Sequence, residues 1–528
     1  MSLTYALFIA TVIGLIGLEG YGYGYWLISR PVFGGALLGL IMGDLKTGLI
    51  VGASVELMYM GVLPIGASIP PNSVIAGLIG TALAILSGGK PEVGITLAIP
   101  VGVLGQLLVM LAWNINIILV HRADDYCAKD NIHMMEITHL MGLIVFFLVH
   151  AVPAFLAVYY GSDMVNQLIG HMPLWITDGL KAASTILPAI GMAMLLRMMD
   201  FKRYWPFFLI GFVLSVYLKL PVLPIAIIGI AVAAAIFTLS SKNNPETMLD
   251  SDSEVAASTE DEAHLINKKD LMSVFRRSFF TMTSINYERF ENLGYAYAMI
   301  PALKKIYTDK DQLHEALTRN LEFFNCHPFT LNAILGISIS MEEQRALGKP
   351  ITGESISATK AALMGPLAGI GDSIFKATFM TLFAALGAAL SLQGNWFGPI
   401  LFIVPNILLN LLTRYYGLFY GYKFGSNLIG KIQESDILQK FVDGATIVGL
   451  LVVGAMVVNF VKLDLNIVGT IAGAKIDIQK MLDSIFPSML PLGITMWYYS
   501  MLKKKNGIYI LLAISFAIGL IGKFFSII

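Results

Sequence analysis

Gly61-Val-Leu-Pro-Ile-Gly-Ala-Ser-Ile-Pro-Pro-Asn-Ser73 leads into an apolar run from Val74 to Leu86, and Met364-Gly-Pro-Leu-Ala-Gly-Ile-Gly-Asp-Ser373 leads into another from Ile374 to Leu390. Each passage sets Gly and Pro in an apolar context, ends on polar residues and restarts a helix. Proline removes a backbone donor, and glycine admits conformations that release amides and carbonyls. In hydrocarbon those groups find no water, so irregular backbone at that depth is kept only where it is buried in protein or lines a cavity. Broken segments in matching positions of two halves mark the binding site of a transporter. The reading is of an all-α polytopic membrane protein, with Asn72–Ser73 and Asp372–Ser373 as N-caps of the restarting helices.

The flanking sequence agrees. Only 13% of the 528 residues are charged and 56% are hydrophobic, whereas a soluble domain carries about 25% charged residues. A spanning helix needs about 20 mostly apolar residues. The candidates are 3–18, 137–160, 205–219, 222–240, 377–393, 396–412, 443–461 and 507–527. No basic residue precedes the first of these, which is expected to be a retained helix and not a cleaved signal.

One break divides the chain. From Lys242 to Glu262 there are seven acidic residues, one Lys and no aromatic, too little apolar area to offset the cost of ordering. The expected organisation is a membrane module over 1–240, an acidic flexible linker over 241–266 and a second module over 267–528. Within the latter, 267–347 mixes charge with apolar residues at helical spacing (Leu271, Phe275, Phe279, Met282) and predicts amphipathic helices at the cytoplasmic face. The membrane part is 360–528. Basic residues at Arg197, Lys202 and Arg203, at Lys268 to Arg277 and at Lys503 to Lys505 point to the cytoplasm. The mixed charges of His121 to Lys129 read as a loop.

Polar residues on apolar ground are the candidate substrate-binding residues. Glu56 lies in Leu49-Ile-Val-Gly-Ala-Ser-Val-Glu-Leu-Met58, where a bare charge costs about 2.5 kcal/mol or more. It requires a structural ion pair, a proton or a watery cavity. Gln106 either binds a sugar hydroxyl or ties two helices together. Asn72 and Asp372 end the two breaks, and Asn325 and His327 lie in Asn325-Cys326-His327-Pro328. Glu19 precedes the aromatic run Gly20 to Trp26, an interface belt or a stacking surface for a sugar. Adjacent residues on a helix point apart, so Cys326 and His327 make no nucleophile–base dyad, and no catalytic residue is expected. There is no phosphate-binding loop, no metal motif and no basic stripe with interleaved aromatics. Nucleotide cofactors, metals and nucleic acid are therefore not expected.

At these motifs the chain resembles a known family. Residues 1–240 are similar to the enzyme IIC component of mannose/fructose/sorbose-type sugar phosphotransferase systems, on GDLKTGLIVGASVELMYMG (43–61) and IGASIPPNSVIAGLIGTALA (65–84). Residues 267–528 resemble the companion enzyme IID, on INYERFENLGYAYAMIPALKKIY (285–307), LEFFNCHPF (321–329), MEEQRA (341–346), MGPLAGIGDSIF (364–375) and LLTRYYGLFYGYKFG (411–425). The resemblance implies two modules of related fold and inverted orientation, assembled as a trimer of pairs in the bacterial inner membrane. It implies import of a hexose, phosphorylated at the cytoplasmic face by a separate IIB protein that a IIA protein recharges. No residue of the membrane pair is itself phosphorylated. Asn72 stands where the family often has Asp, and Cys326 where it commonly has Thr.

The sequence thus predicts a permease whose Glu56, Asn72, Gln106, Asn325, His327 and Asp372 hold a neutral sugar. Arg276, Arg277, Lys304 and Lys305 would dock the partner or bind lipid headgroups. The rival class is an ion-coupled secondary transporter using Glu56 and Asp372.

Overall fold

The computed structural model describes residues 2–60, 71–171, 173–242, 264–425, 436–471, 474–502 and 507–528. The first break and the acidic linker fall largely outside these.

The described chain is helical apart from one antiparallel hairpin, β1 (Val468–Ile471) with β2 (Ala474–Asp477), pairing Val468 with Asp477. In the first half, α1 is Leu3–Leu18, α2 Pro31–Met42, α3 Leu45–Tyr59, α4 Ser73–Leu86, α5 Pro91–Ala128, α6 Ile132–Leu140 and α7 Gly142–His171. Then come α8 (Leu174–Ile186), α9 (Pro188–Met198), α10 (Phe201–Tyr217) and α11 (Val222–Lys242). The second half opens with four short helices, α12 (Lys268–Ser278), α13 (Asn292–Ile306), α14 (Lys310–Asn320) and α15 (Leu331–Ala346). There follow α16 (Gly353–Gly371), α17 (Thr381–Leu392), α18 (Phe397–Phe424) and α19 (Asp436–Phe460).

Among the described residues, four helices are long and apolar enough to cross a membrane: Pro91–Ala128, Ile132–Gly161, Gly353–Leu392 and Phe397–Lys423. Their outer faces suit lipid, since Leu104, Leu107, Leu111 and Ile118 of α5 and Ile144, Leu148, Val152 and Leu156 of α7 are all exposed. The protein is an integral membrane protein. The expected loop over 121–129 is instead the end of α5, which continues through Pro100. Its charged tip joins a second core, where Val120, Ala123, Cys127 and Met135 pack with Tyr295, Phe324 and Leu335 from the short helices of the second half. This amphipathic layer therefore caps the bundle.

Asp44 marks the start of α3. Gly43 takes φ 85° and Asp44 caps α3, accepting from the Thr47 amide at 3.0 Å. On α2 and α3, Gly39 and Gly48 meet backbone to backbone, a contact any Cβ would block.

The second break differs from expectation. The chain stays helical through Gly365, Pro366 and Gly369, and the interruption is a π-helix, Asp372–Met380, between α16 and α17. Asp372 is not the N-cap of a restarting helix: it lies at φ −65°, ψ −40°, and its amide donates to the Ala368 and Gly369 carbonyls of α16. The widened turn is stitched by hydroxyls, Thr378 Oγ1 donating to the Ser373 carbonyl five residues back at 2.9 Å. Such segments recur at functional sites.

Candidate functional site

The two halves enclose a cavity of about 260 Å³. Drug-sized ligands occupy roughly 300–1,000 Å³, so this one suits a smaller molecule. From the first half its wall takes the loop after α1, the start of α4 and Trp113 of α5. From the second it takes Glu291, the turn 325–328 and one side of the π-helix.

Glu19 builds the loop. Fully buried, its carboxylate accepts from the Leu27 amide at 2.9 Å, the Ser29 amide at 3.1 Å and the Ser29 hydroxyl at 2.9 Å. The loop so folded presents Tyr21, Tyr25 and Arg30 to the cavity. Tyr21 is stacked on Phe146, and Tyr25 meets His327 edge-on. These two tyrosines are cavity residues and not a lipid-interface belt.

Four of the six residues singled out in the sequence meet here. Asn72 caps α4, accepting from the Ile75 amide at 2.9 Å, while its own amide donates to the Gly102 carbonyl at 2.8 Å. His327 is buried and its Nδ1 accepts from the Phe329 amide at 3.2 Å, which leaves Nε2 as the protonated nitrogen. Burial, with Lys376 and Arg414 nearby, holds this imidazole well below its ordinary pKa and hence neutral. Asn325 and Asp372 complete the set. Asp372 is paired with Lys376 at 3.8 Å, with its side chain 56% exposed. Gly371 lets α16 approach closely, because a Cβ there would strike the His327 side chain.

The other two stand elsewhere. Glu56 is fully buried behind the wall as the counter-ion of Arg30, bonded to its Nε at 3.1 Å and to Nη2. It is thus the structural ion pair of the alternatives above, and its partner Arg30 is what reaches the cavity. Gln106 is half-buried and not among the lining residues. Gly105 beside it faces Asn72.

Sequence reasoning missed the two groups that most directly signal a ligand. Trp113 Nε1 and Glu291 Oε2 are buried, and neither has a hydrogen-bond partner among the described residues; both residues line the cavity. Buried polar groups are normally satisfied, so an orphaned donor and acceptor in one hollow call for a polar guest. Cys326 also stands in the cavity wall, with its side chain buried. Burial pushes its thiol up to about 12, so it is no nucleophile. The cavity offers aromatic faces, a neutral imidazole, amides, a carboxyl and compensated cations. That suits an uncharged, many-hydroxyl molecule.

Comparison with known proteins addresses both halves. Residues 265–528 match the family model "PTS system mannose/fructose/sorbose family IID component", and residues 3–235 match "PTS system sorbose-specific iic component". The second half is 42% identical over 263 residues to the fructose permease IID component of Bacillus subtilis (strain 168), covering 49% of this chain and 95% of that protein. The first half is 33% identical over 242 residues to the sorbose-specific EIIC component of Klebsiella pneumoniae, covering 46% of this chain and 88% of that protein. A solved complex of the mannose transporter ManYZ with microcin E492 shares 37% identity over 50% of this chain and 98% of the other, with a TM-score of 0.30.

Proposed function

This chain belongs to the mannose/fructose/sorbose family of phosphotransferase-system membrane components, its first half the IIC component and its second the IID component, and we propose that the cavity between them is where the imported sugar is held. The observation that carries this is the pair of unsatisfied buried groups, Trp113 Nε1 and Glu291 Oε2, in a hollow to which both halves contribute. A hexose offers donors and acceptors around a ring, and stacks its apolar face on aromatics such as Tyr25. In this reading Asn72, Asn325, His327 and Asp372 bond hydroxyls directly, with Trp113 and Glu291 beside them. Glu56 acts through Arg30.

The family's permeases work with cytoplasmic IIA and IIB carriers. Here IIB would phosphorylate the sugar as it emerges, and the added charge would prevent return across an apolar barrier. The exposed Arg276, Lys304 and Lys305 are the proposed dock, and a trimer of fused chains the proposed assembly. Arg277 is engaged instead with Glu136.

Membrane vesicles loaded with phosphoenolpyruvate and the carrier proteins test this. Uptake of mannose, fructose or sorbose should depend on phosphoenolpyruvate and yield sugar phosphate. Asp372→Ala should abolish it with the protein still in the membrane. Uptake that collapses with an ionophore and delivers unmodified sugar would establish the ion-coupled alternative.

A further inference from the structure

A second hollow, about 330 Å³, lies against the same π-helix. The first cavity meets Lys376 and Met380, the second Ser373, Ala377 and Thr378, and Asp372 lines both. Its remaining wall again comes from both halves. Asp200, Arg203 and Tyr204 stand at the start of α10, and Asp443 and Thr446 are on α19.

These groups are organised. The Tyr204 hydroxyl is hydrogen-bonded to the Asp443 carboxylate, and the Arg203 guanidinium lies 5.1 Å from the centre of the Tyr204 ring. Thr378 and Thr446 are buried. Like the first cavity, it offers carboxylates, hydroxyls and an aromatic face, here without the amides and the imidazole. Its charge also selects among guests. Three carboxylates (Asp200, Asp372, Asp443) against one guanidinium repel a phosphate group, so a sugar phosphate is disfavoured while a neutral sugar is not. Asp372, exposed and only loosely paired with Lys376, is the one described residue that lines both hollows.

We infer that the second hollow is a holding station for the same unphosphorylated hexose beside the first, with Asp372 passing the sugar between them. This rests on the permease reading above. A station used after entry contributes to turnover and not to initial capture, so its loss lowers kcat and leaves KM in place.

The test uses the full chain in vesicles with phosphoenolpyruvate, the carriers and radiolabelled mannose, fructose or sorbose. Tyr204→Phe and Asp443→Asn, one from each half, are each checked for wild-type elution in detergent; Thr446→Val replaces either if it fails that check. Each should cut turnover at least about tenfold, the loss of a hydrogen bond to a charged group, with KM within about twofold of wild type. Binding of the same sugar without carriers should be unchanged. Wild-type turnover in these variants overturns the inference. So does a rise in KM matching that of Asn325→Ala, which would merge the two hollows into one site. If the unaltered protein takes up none of the sugars with phosphoenolpyruvate, the permease reading falls first and the station falls with it.

Discussion

Glu291 shows how a single side chain carries two consequences of burial. Its amide donates to the Phe324 carbonyl at 2.8 Å, which fixes the residue at the cavity wall. Desolvation lifts its carboxyl to about 8; the Cys326 amide and Arg414 lower it only in part, and Asp372 adds to the lift. Between the ordinary value of 4.5 and about 8 the folded protein binds more protons at this site than the unfolded chain. Stability is therefore undiminished below 4.5, falls as pH rises through that window and levels off above it. Glu291→Gln, neutral throughout, should flatten the decline in thermal midpoint measured in detergent from roughly pH 5 to 9. An unaltered slope would place the titration elsewhere. Arg30 and Glu56 give a second test. Removing one member of a buried pair leaves an uncompensated charge and costs about 3–5 kcal/mol, so Glu56→Leu should lower the denaturation midpoint sharply. Adding Arg30→Met should restore most of that stability and still leave uptake impaired, because Arg30 lines the cavity. Recovery of both would make the pair purely structural. The sequence displayed Glu56 as a carboxylate in need of a partner. It did not display Trp113 or Glu291 as site residues, because an indole in an apolar helix and an acid in a polar stretch look ordinary until packing seals them in the same hollow.

Among the elements, the passage from Met364 to Ser373 was legible as unusual but not in its form. One proline removes one ladder bond from a helix that its neighbours otherwise support, so Pro366 and the glycines around it leave the backbone helical. The irregularity surfaces later, as the π-turns from Asp372 to Met380. Threonine hydroxyls satisfy carbonyls there, a pattern that residue periodicity does not reveal. The glycines nonetheless have work to do: Gly371 admits the His327 side chain against α16. Gly371→Ala must push the 325–328 turn away, and should weaken sugar binding about tenfold or more while costing roughly 1–3 kcal/mol, the range for overpacking. Equilibrium binding and thermal denaturation measure the two effects. Gly365, whose Cβ would meet nothing within 4 Å, is the control at which alanine is tolerated.

Across the whole molecule, the two halves are joined by far more than their covalent link. One core draws Val51 and Leu57 together with Leu386, Val448 and Leu451. At the capping layer Arg289 grips Asp124 with two bonds of 3.1 and 2.6 Å, Arg277 meets Glu136 at 2.5 Å and His121 meets Glu288 at 2.8 Å. Deeper in, Asn410 donates to the Gly24 carbonyl at 2.8 Å, Thr283 to Gly22 at 2.6 Å and Asn116 to Ile285 at 2.9 Å. Exposed ion pairs weaken within a Debye length of about 3 Å at 1 M salt, whereas apolar contact and buried hydrogen bonds do not. A protease site inserted between residues 243 and 263 therefore supplies a direct measure of what holds the pair together. After cleavage the halves should elute as one species in mild detergent even in 1 M salt, and sugar uptake should persist, the fusion having served to raise local concentration during assembly. If the fragments separate, the shared cavity depends on the tether, and every role assigned to residues facing one another across it must be re-examined in the intact chain alone.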